Sequence, residues 1–285
     1  MFFHPSRNPI ENPGLAGISR EDVFFPSTDG VKLHGWVLRP SGPVKGALLF
    51  LHGNAENLST QVNAVLWLVK EGYIVFAFDY RGYGKSEGTP DIPGVNRDGI
   101  AALDQFFRIG GVDAGRVAVF GQSLGGAVAV YAVANSPRKG DVKALILDSA
   151  FAGYRRVVRD KLAALIVTWP ISVPASWTVE DRYSPERWIR EIGPIPVIVI
   201  HGTRDPVVPY DHGKRLYELA NDPKGFWTLE GGGHATALSN LEVRAQFLAF
   251  LVSVLPPKKN SLPLTKILLQ NRKSSRFSYF SRRST

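Results

Sequence analysis

This sequence predicts an α/β protein with a mostly parallel central sheet covered by helices on both faces. Three observations carry that expectation. Short continuous apolar runs, such as Ala47 to Leu51 and Tyr73 to Phe78, alternate with longer segments of helical spacing, the pattern of strands buried on both sides. Gly121-Gln122-Ser123-Leu124-Gly125 lies between an apolar run, Val117 to Phe120, and a helix-like one, Gly126 to Tyr131. An aspartate, Asp205, and a histidine, His234, each follow a later strand-like run.

The elements can be read in order. Asp22 to Phe25 and Val31 to Leu38 form an antiparallel N-terminal hairpin, because Asp29-Gly30 joins two alternating segments. Ala47 to Leu51 is a buried strand, Leu58 to Lys70 a helix and Tyr73 to Phe78 a second buried strand. A helix is expected near Val95 to Phe107, then strands at Arg116 to Phe120 and Val142 to Leu147. Residues 149–194 follow this sixth strand without a further strand. There Tyr154, Val157, Val158, Leu162, Leu165, Ile166 and Trp169 keep helical spacing, with Pro170 and Pro174 as the expected stop. Pro185 to Ile192 reads as a second short helix, with Ser184 as its cap and Pro185 at its first position. Together these predict a small helical insertion over the sheet edge. Pro196 to Ile200 and Phe226 to Leu229 are the last strands, and Leu241 to Leu255 the closing helix.

The turn around Ser123 has the form of a nucleophile elbow, in which flanking glycines permit a turn too tight for side chains. A serine hydroxyl needs a base to take its proton, and that base is usually a histidine oriented by a carboxylate. The expected chain order is serine, acid, histidine. Ser123, Asp205 and His234 supply it, 82 and then 29 residues apart. Asp148 also ends a strand and is the alternative acid; Asp205 is preferred, with Asp148 read as satisfying local backbone donors. Backbone N–H groups of Asn54, in the loop after Leu51, and of Leu124, just after the serine, are the expected oxyanion donors. His52 and His201 are expected to orient the oxyanion and acid loops. His4, His34 and His212 have no partner at metal-ligand spacing, so no catalytic metal is expected. Gly82 and Gly84 read as a turn and not as a phosphate loop, and Arg81 and Tyr83 either line the mouth of the site or belong to a solvated loop.

The elbow, together with His52-Gly53-Asn54-Ala55-Glu56-Asn57, Asp79-Tyr80-Arg81-Gly82-Tyr83-Gly84-Lys85-Ser86 and the Asp205 and His234 motifs, resembles the α/β-hydrolase superfamily over roughly Val23 to Val254. Within it the chain looks similar to the compact serine hydrolases related to protein depalmitoylases and lysophospholipid-type lipases. The resemblance implies an α/β-hydrolase fold and a cofactor-free hydrolase of carboxylic esters or thioesters, acting on a small-molecule or lipid acyl substrate through an acyl-enzyme. Peptidase or amidase chemistry with the same three residues, and a non-catalytic binding protein of hydrolase fold, are the competing readings.

Composition bounds the rest. Apolar residues make up 44% and charged residues 21% of the 285, an ordinary globule able to build its own core. The absence of cysteine excludes disulfides, a thiol nucleophile and thiolate metal sites. Net charge is +9, but eight of the 34 basic residues follow Pro256 with no acidic one among them, leaving 26 basic against 25 acidic in the body. That excludes a basic groove and with it a nucleic-acid partner. Residues 1–255 are thus expected to form the hydrolase domain and residues 256–285 a basic tail, read first as a disordered solvated appendage and second as a tether to anionic membrane. No apolar run reaches the roughly 20 residues needed to span a bilayer and no signal-peptide pattern opens the chain. The expected location is cytoplasmic, with peripheral membrane contact through the tail as the alternative.

Overall fold

The structure is a computed structural model that describes residues 3–163 and 172–256. The basic tail beyond Pro256 and the segment containing Leu165, Ile166 and Trp169 lie outside the described residues. In chain order the elements are β1 (His4–Pro5), β2 (Ser19–Pro26), β3 (Lys32–Arg39), β4 (Gly46–Leu51), β5 (Ala55–Glu56), α1 (Leu58–Gln61), α2 (Leu66–Lys70), β6 (Tyr73–Asp79), α3 (Ile92–Phe106), β7 (Val117–Gln122), α4 (Leu124–Asn135) and β8 (Val142–Asp148). They continue with α5 (Tyr154–Ala163), α6 (Ser172–Trp177), α7 (Pro185–Trp188), β9 (Val197–Gly202), α8 (Tyr210–Leu219), β10 (Lys224–Leu229) and α9 (Leu241–Val254).

Eight strands form one sheet in the order β10-β9-β8-β7-β4-β6-β3-β2. From β6 to β10 every pairing is parallel, while β3 runs antiparallel to both β2 and β6. The expected hairpin is present: Gly30 takes a positive φ of 88° in its turn, and Ser27 N–H bonds Val31 O at 2.7 Å. Strand alternation divides the core in two. On β4, Leu49 and Leu51 point to the face covered by α3 and α4, and Leu48 and Phe50 to the face covered by α2 and α9. All of these are fully buried, which is why the strand reads as an unbroken apolar run.

Four local expectations are corrected. The single helix over Leu58 to Lys70 is broken, because Val65 leaves helical geometry at φ −122°; the offset lets Leu68 be buried beside Val62, Val65, Leu66 and Val69. Pro174 does not stop a helix but sits in the first turn of α6, where a missing N–H costs nothing. Ser184 does not cap α7 through its side chain. Its hydroxyl donates to Asp181 Oδ1 at 2.6 Å and accepts from Tyr154 N–H at 3.0 Å, tying α7 to α5. A short parallel ladder, β1 with β5, was not expected. It lays the N-terminal segment over the loop after β4. Asn57 Nδ2 holds the Ser6 and Asn8 carbonyls at 3.2 and 2.9 Å, and Gly84 N–H bonds Ser6 O at 2.9 Å.

Candidate active site

The carboxyl ends of the parallel strands meet along one edge of the sheet, where α/β proteins place their ligands. At the end of β7, Ser123 holds φ 53° and ψ −115°, a conformation costing on the order of 1–3 kcal/mol unless the surroundings enforce it. Here they do. Ser123 N–H bonds Asp148 O at 2.9 Å, and its carbonyl receives Gly126 N–H at 3.1 Å. The flanking glycines are needed for close approach: a Cβ on Gly125 would collide with the Leu51 carbonyl, and one on Gly121 with the Gly125 carbonyl. Leu124 N–H opens α4 and so has no intrahelical acceptor.

Beside the serine lies the loop after β4. A Cβ built on Gly53 would stand 3.7 Å from Ser123 Cβ. All three carbonyls of His52-Gly53-Asn54 are engaged by donors of this chain. Tyr80 Oη donates to His52 O at 3.0 Å, His52 Nδ1 donates to Gly53 O at 2.7 Å, and Tyr83 Oη reaches Asn54 O and Oδ1 at 2.8 Å each. Behind them, buried Asp79 accepts Leu58 N–H at 2.7 Å and faces His52 Nε2 at 3.4 Å. Burial alone would raise the Asp79 carboxyl, but contacts from His34, His52 and Leu58 hold it below its ordinary value.

Asp205 follows β9 and is bonded to His234. Its Oδ2 accepts from His234 Nδ1 at 2.8 Å, while Oδ1 takes Val207 and Val208 N–H at 2.8 and 2.9 Å. His201 Nε2 donates to Val208 O at 3.0 Å and lies 3.5 Å from Asp205 Oδ2. Burial works against the charge on Asp205. Hydrogen bonds from His201, His234 and Val208 outweigh it and hold the carboxyl well below the usual carboxylate range. An ionised Asp205 fixes the proton of His234 on Nδ1 and leaves Nε2 as the acceptor nitrogen. Gly232 packs the histidine loop against the acid loop: Arg204 N–H bonds its carbonyl at 3.0 Å, and a Cβ on Gly202 would collide with that same carbonyl.

Asp148, the alternative acid, is engaged elsewhere, accepting from Gln122 Nε2 at 2.9 Å and Ser149 Oγ at 3.3 Å. Burial raises its carboxyl above the ordinary value, against the opposing effects of Gln122, His234 and His201. Ser149 Oγ in turn accepts Ala235 N–H at 2.9 Å, so the end of β8 joins the elbow to the histidine loop. No hydrogen bond joins Ser123 to His234 among the described residues; in ligand-free sites such bonds are often long or poorly aligned. Arg81 does not reach the mouth. Its guanidinium is buried against Asp98 and Asp29 at 2.7 and 2.9 Å, and hydrogen bonding to Arg81 lowers the Asp29 carboxyl to about 2. Tyr83 is buried and, like Tyr80, bonds the loop after β4. Neither tyrosine's partner could be read from the sequence.

Ser123, Leu124 and Asn54 open onto a cavity of about 620 Å³, within the usual range for small-molecule sites. Its wall is mainly apolar: Phe151, Val157, Val158 and Leu162 from the β8–α5 segment, Val179 from the insertion, Val207 and Val208 from the acid loop. His4 and Lys161 stand on it as well, whereas His234 does not line it. Among the described residues no group of histidines and carboxylates could hold a metal, and no helix is long and apolar enough to cross a membrane.

Residues 42–193, more than half of the chain, match the family described as serine aminopeptidase, S33. The uncharacterized protein YfhR of Escherichia coli K12 is 35% identical over 247 residues, covering 84% of this chain and 83% of its own. The alpha/beta hydrolase domain-containing protein WAV2 of Arabidopsis thaliana is 34% identical, covering 87% and 83%. The chain belongs to the α/β-hydrolase superfamily. Among solved structures, this hydrolase superposes on the Pyrococcus furiosus esterase Pf2001 with a TM-score of 0.70 over 89% of its length and 98% of the esterase, at 22% identity. That likeness concerns the fold.

Proposed function

We propose that this α/β-hydrolase cleaves carboxylic esters or thioesters through Ser123, His234 and Asp205. His234 Nε2 takes the proton of Ser123 Oγ as the oxygen attacks the acyl carbonyl. The tetrahedral oxyanion is received by the N–H groups of Asn54 and Leu124, preorganised donors of the kind that contribute most to acyl transfer. His234 then protonates the departing alcohol or thiol, and water releases the acyl group by the reverse steps. Asp205 stays ionised and holds the imidazole tautomer. The observation that carries this reading is the strained Ser123 on an elbow that opens onto an apolar cavity, with the His234–Asp205 pair bonded at 2.8 Å on the same sheet edge.

The cavity wall favours an acyl chain over a peptide amine. An aminopeptidase has to hold a substrate ammonium, and no carboxylate lines this cavity among the described residues, whereas a lysine does. Esters and thioesters of apolar acids, the chemistry of depalmitoylase- and lysophospholipase-like enzymes, therefore come first, and amides second. Labelling with a fluorophosphonate probe tests the reading. Wild-type protein is expected to be labelled on Ser123 and Ser123→Ala not at all. A folded wild-type protein that stays unlabelled overturns the proposal. Matched ester and anilide substrates separate the two bond types.

A further inference from the structure

Among the described residues that line the cavity, one side chain is permanently charged, and its placement bears on the substrate. Lys161 belongs to the last turn of α5 and lines the same wall as Val157, Val158 and Leu162. Its Nζ donates to the carbonyl of Pro206 at 3.3 Å. That bond leaves the charge uncompensated, because a backbone carbonyl is neutral and no carboxylate pairs with Lys161 among the described residues. The adjacent Asp160 is committed to Arg159 at 3.1 Å and to His212 at 3.0 Å. Of the four basic residues on the helix, Arg156 pairs with Glu186 and Arg159 with Asp160, and Lys161 is the one that lines the cavity.

We propose that the cavity takes acyl substrates bearing an anionic group, a carboxylate or phosphate, held by Lys161. This names the substrate class of the ester-hydrolase reading and rests on it. Lys161 is exposed at the rim of the cavity, so its ammonium acts mainly by concentrating anionic ligands at the mouth, an effect that salt screens. Pro206 follows Asp205 directly, so the bond from Lys161 puts its ammonium beside the acid loop, and the anion is bound on that side. Two substrate geometries satisfy this chemistry. The anion is either at the far end of the acyl chain, as in a half-ester of a dicarboxylic acid, or on the leaving group, as in an acyl glycerol phosphate. In both, the bond that breaks is the ester C–O bond, Ser123 Oγ forms the new acyl bond, and the anion takes no part.

Two matched pairs of substrates test the proposal. One compares the aryl half-ester of decanedioic acid with aryl decanoate; the other compares decanoyl glycerol phosphate with decanoyl glycerol. Each pair is run with wild type, Lys161→Arg and Lys161→Glu at low and high salt, with thermal melting to establish folding. In wild type, one anionic member is expected to exceed its neutral partner in kcat/KM by about tenfold or more. That ratio should persist in Lys161→Arg, fall by about tenfold or more in Lys161→Glu, and shrink with salt. The pair that responds identifies which end carries the anion. Thermal shift of the same three proteins by n-decyl phosphate against n-decanol gives a readout independent of turnover. Lys161-dependent stabilisation by decyl phosphate, with no ester cleaved, would sink the hydrolase reading and leave the anion site standing. Equal ratios in all three proteins for both pairs, with no preference for decyl phosphate, would overturn the anion site and leave the hydrolase reading intact.

Discussion

The two walls of the site are built on different principles. On the elbow side, buried polar groups fix the backbone: Tyr80, Tyr83 and His52 occupy every carbonyl of residues 52–54, and Asp79 closes the network behind them. The opposite wall is α5. It is held by apolar contacts of Val157, by the Ser184 hydroxyl at Tyr154 N–H, and by ion pairs near the surface, such as Arg156 with Glu186 at 3.8 Å. Buried polar networks are stiff because each lost partner leaves a desolvated group unpaired. Partly exposed ion pairs contribute little. The chain thus puts rigidity around the elbow, where the proposed reaction would hold its atoms, and leaves the α5 wall of the cavity easier to alter. Changes on the first wall should cost turnover, and changes on the second should redirect it.

The most damaging change after loss of the serine should be Asp205→Asn. The asparagine oxygen can still accept Val207 and Val208 N–H, so the loop keeps its shape, but the carboxylate that fixes the His234 tautomer is gone. A fall in kcat of about 10⁴-fold is expected, with melting temperature little changed; activity within tenfold of wild type would show that His234 does not depend on this acid. Next comes Tyr83→Phe, which deletes the donor to Asn54 O and Oδ1 and the acceptor of the His4 backbone N–H. A misplacement of the order of 1 Å can cost about 100-fold, so kcat should fall by about 10- to 100-fold while KM stays nearly constant. If KM moves and kcat does not, Tyr83 acts on substrate binding and not on the oxyanion loop.

How much of this contrast is legible in the sequence follows from the range of the interactions. The strands could be read because burial on both faces turns them into unbroken apolar runs, and the elbow because Gly121, Ser123 and Gly125 are adjacent. Asp205 and His234 could be named because each follows such a run. The network around the oxyanion loop could not be read. Tyr80 and Tyr83 find their partners 28 and 29 residues away, and no periodicity announces that. Arg81 was expected at the mouth or in solvent for the same reason; its buried partners, Asp98 and Asp29, lie 17 and 52 residues distant. Helix α8 escaped notice because the residues it buries are His212, Gly213 and Leu216, a face with a single aliphatic side chain.

The second wall should respond more gently, in selectivity before rate. Val158 lines the cavity and is half-buried, so Val158→Trp adds bulk to the wall at a site with room to give. We expect kcat/KM for a long acyl ester to drop by about tenfold, and that for an acetyl ester by less than about threefold. Equal losses on both would mean that α5 does not border the acyl group.

The smallest effect, and the one that isolates the anchoring of α5, is in pH. His212 is buried; its Nδ1 accepts Ala152 N–H at 2.9 Å and its Nε2 lies 3.0 Å from Asp160 Oδ2 on α5. Burial lowers its pKa below the ordinary 6.5, and Asp160 only partly offsets this. A histidine whose folded pKa is depressed contributes stability that is present above 6.5 and is lost as pH falls through that value toward the folded one. The depressed carboxyl of Asp205 acts in a separate window, below its ordinary 3.8. Between pH 7.5 and 5.5 the histidine contribution falls, while the raised carboxyl of Asp148 acts in the opposite sense, so the His212 effect is read from the difference between wild type and variant: the melting-temperature gap to His212→Asn should narrow by about 2–4 °C. Protonating Nδ1 would also take away the acceptor of Ala152 N–H, so α5 and the loop before it should loosen together. His212→Asn should melt lower at pH 7.5 and lack the histidine's fall across this interval. If instead the variant follows the wild-type slope, the acid sensitivity belongs to another group, and the His212–Asp160 contact does not anchor α5.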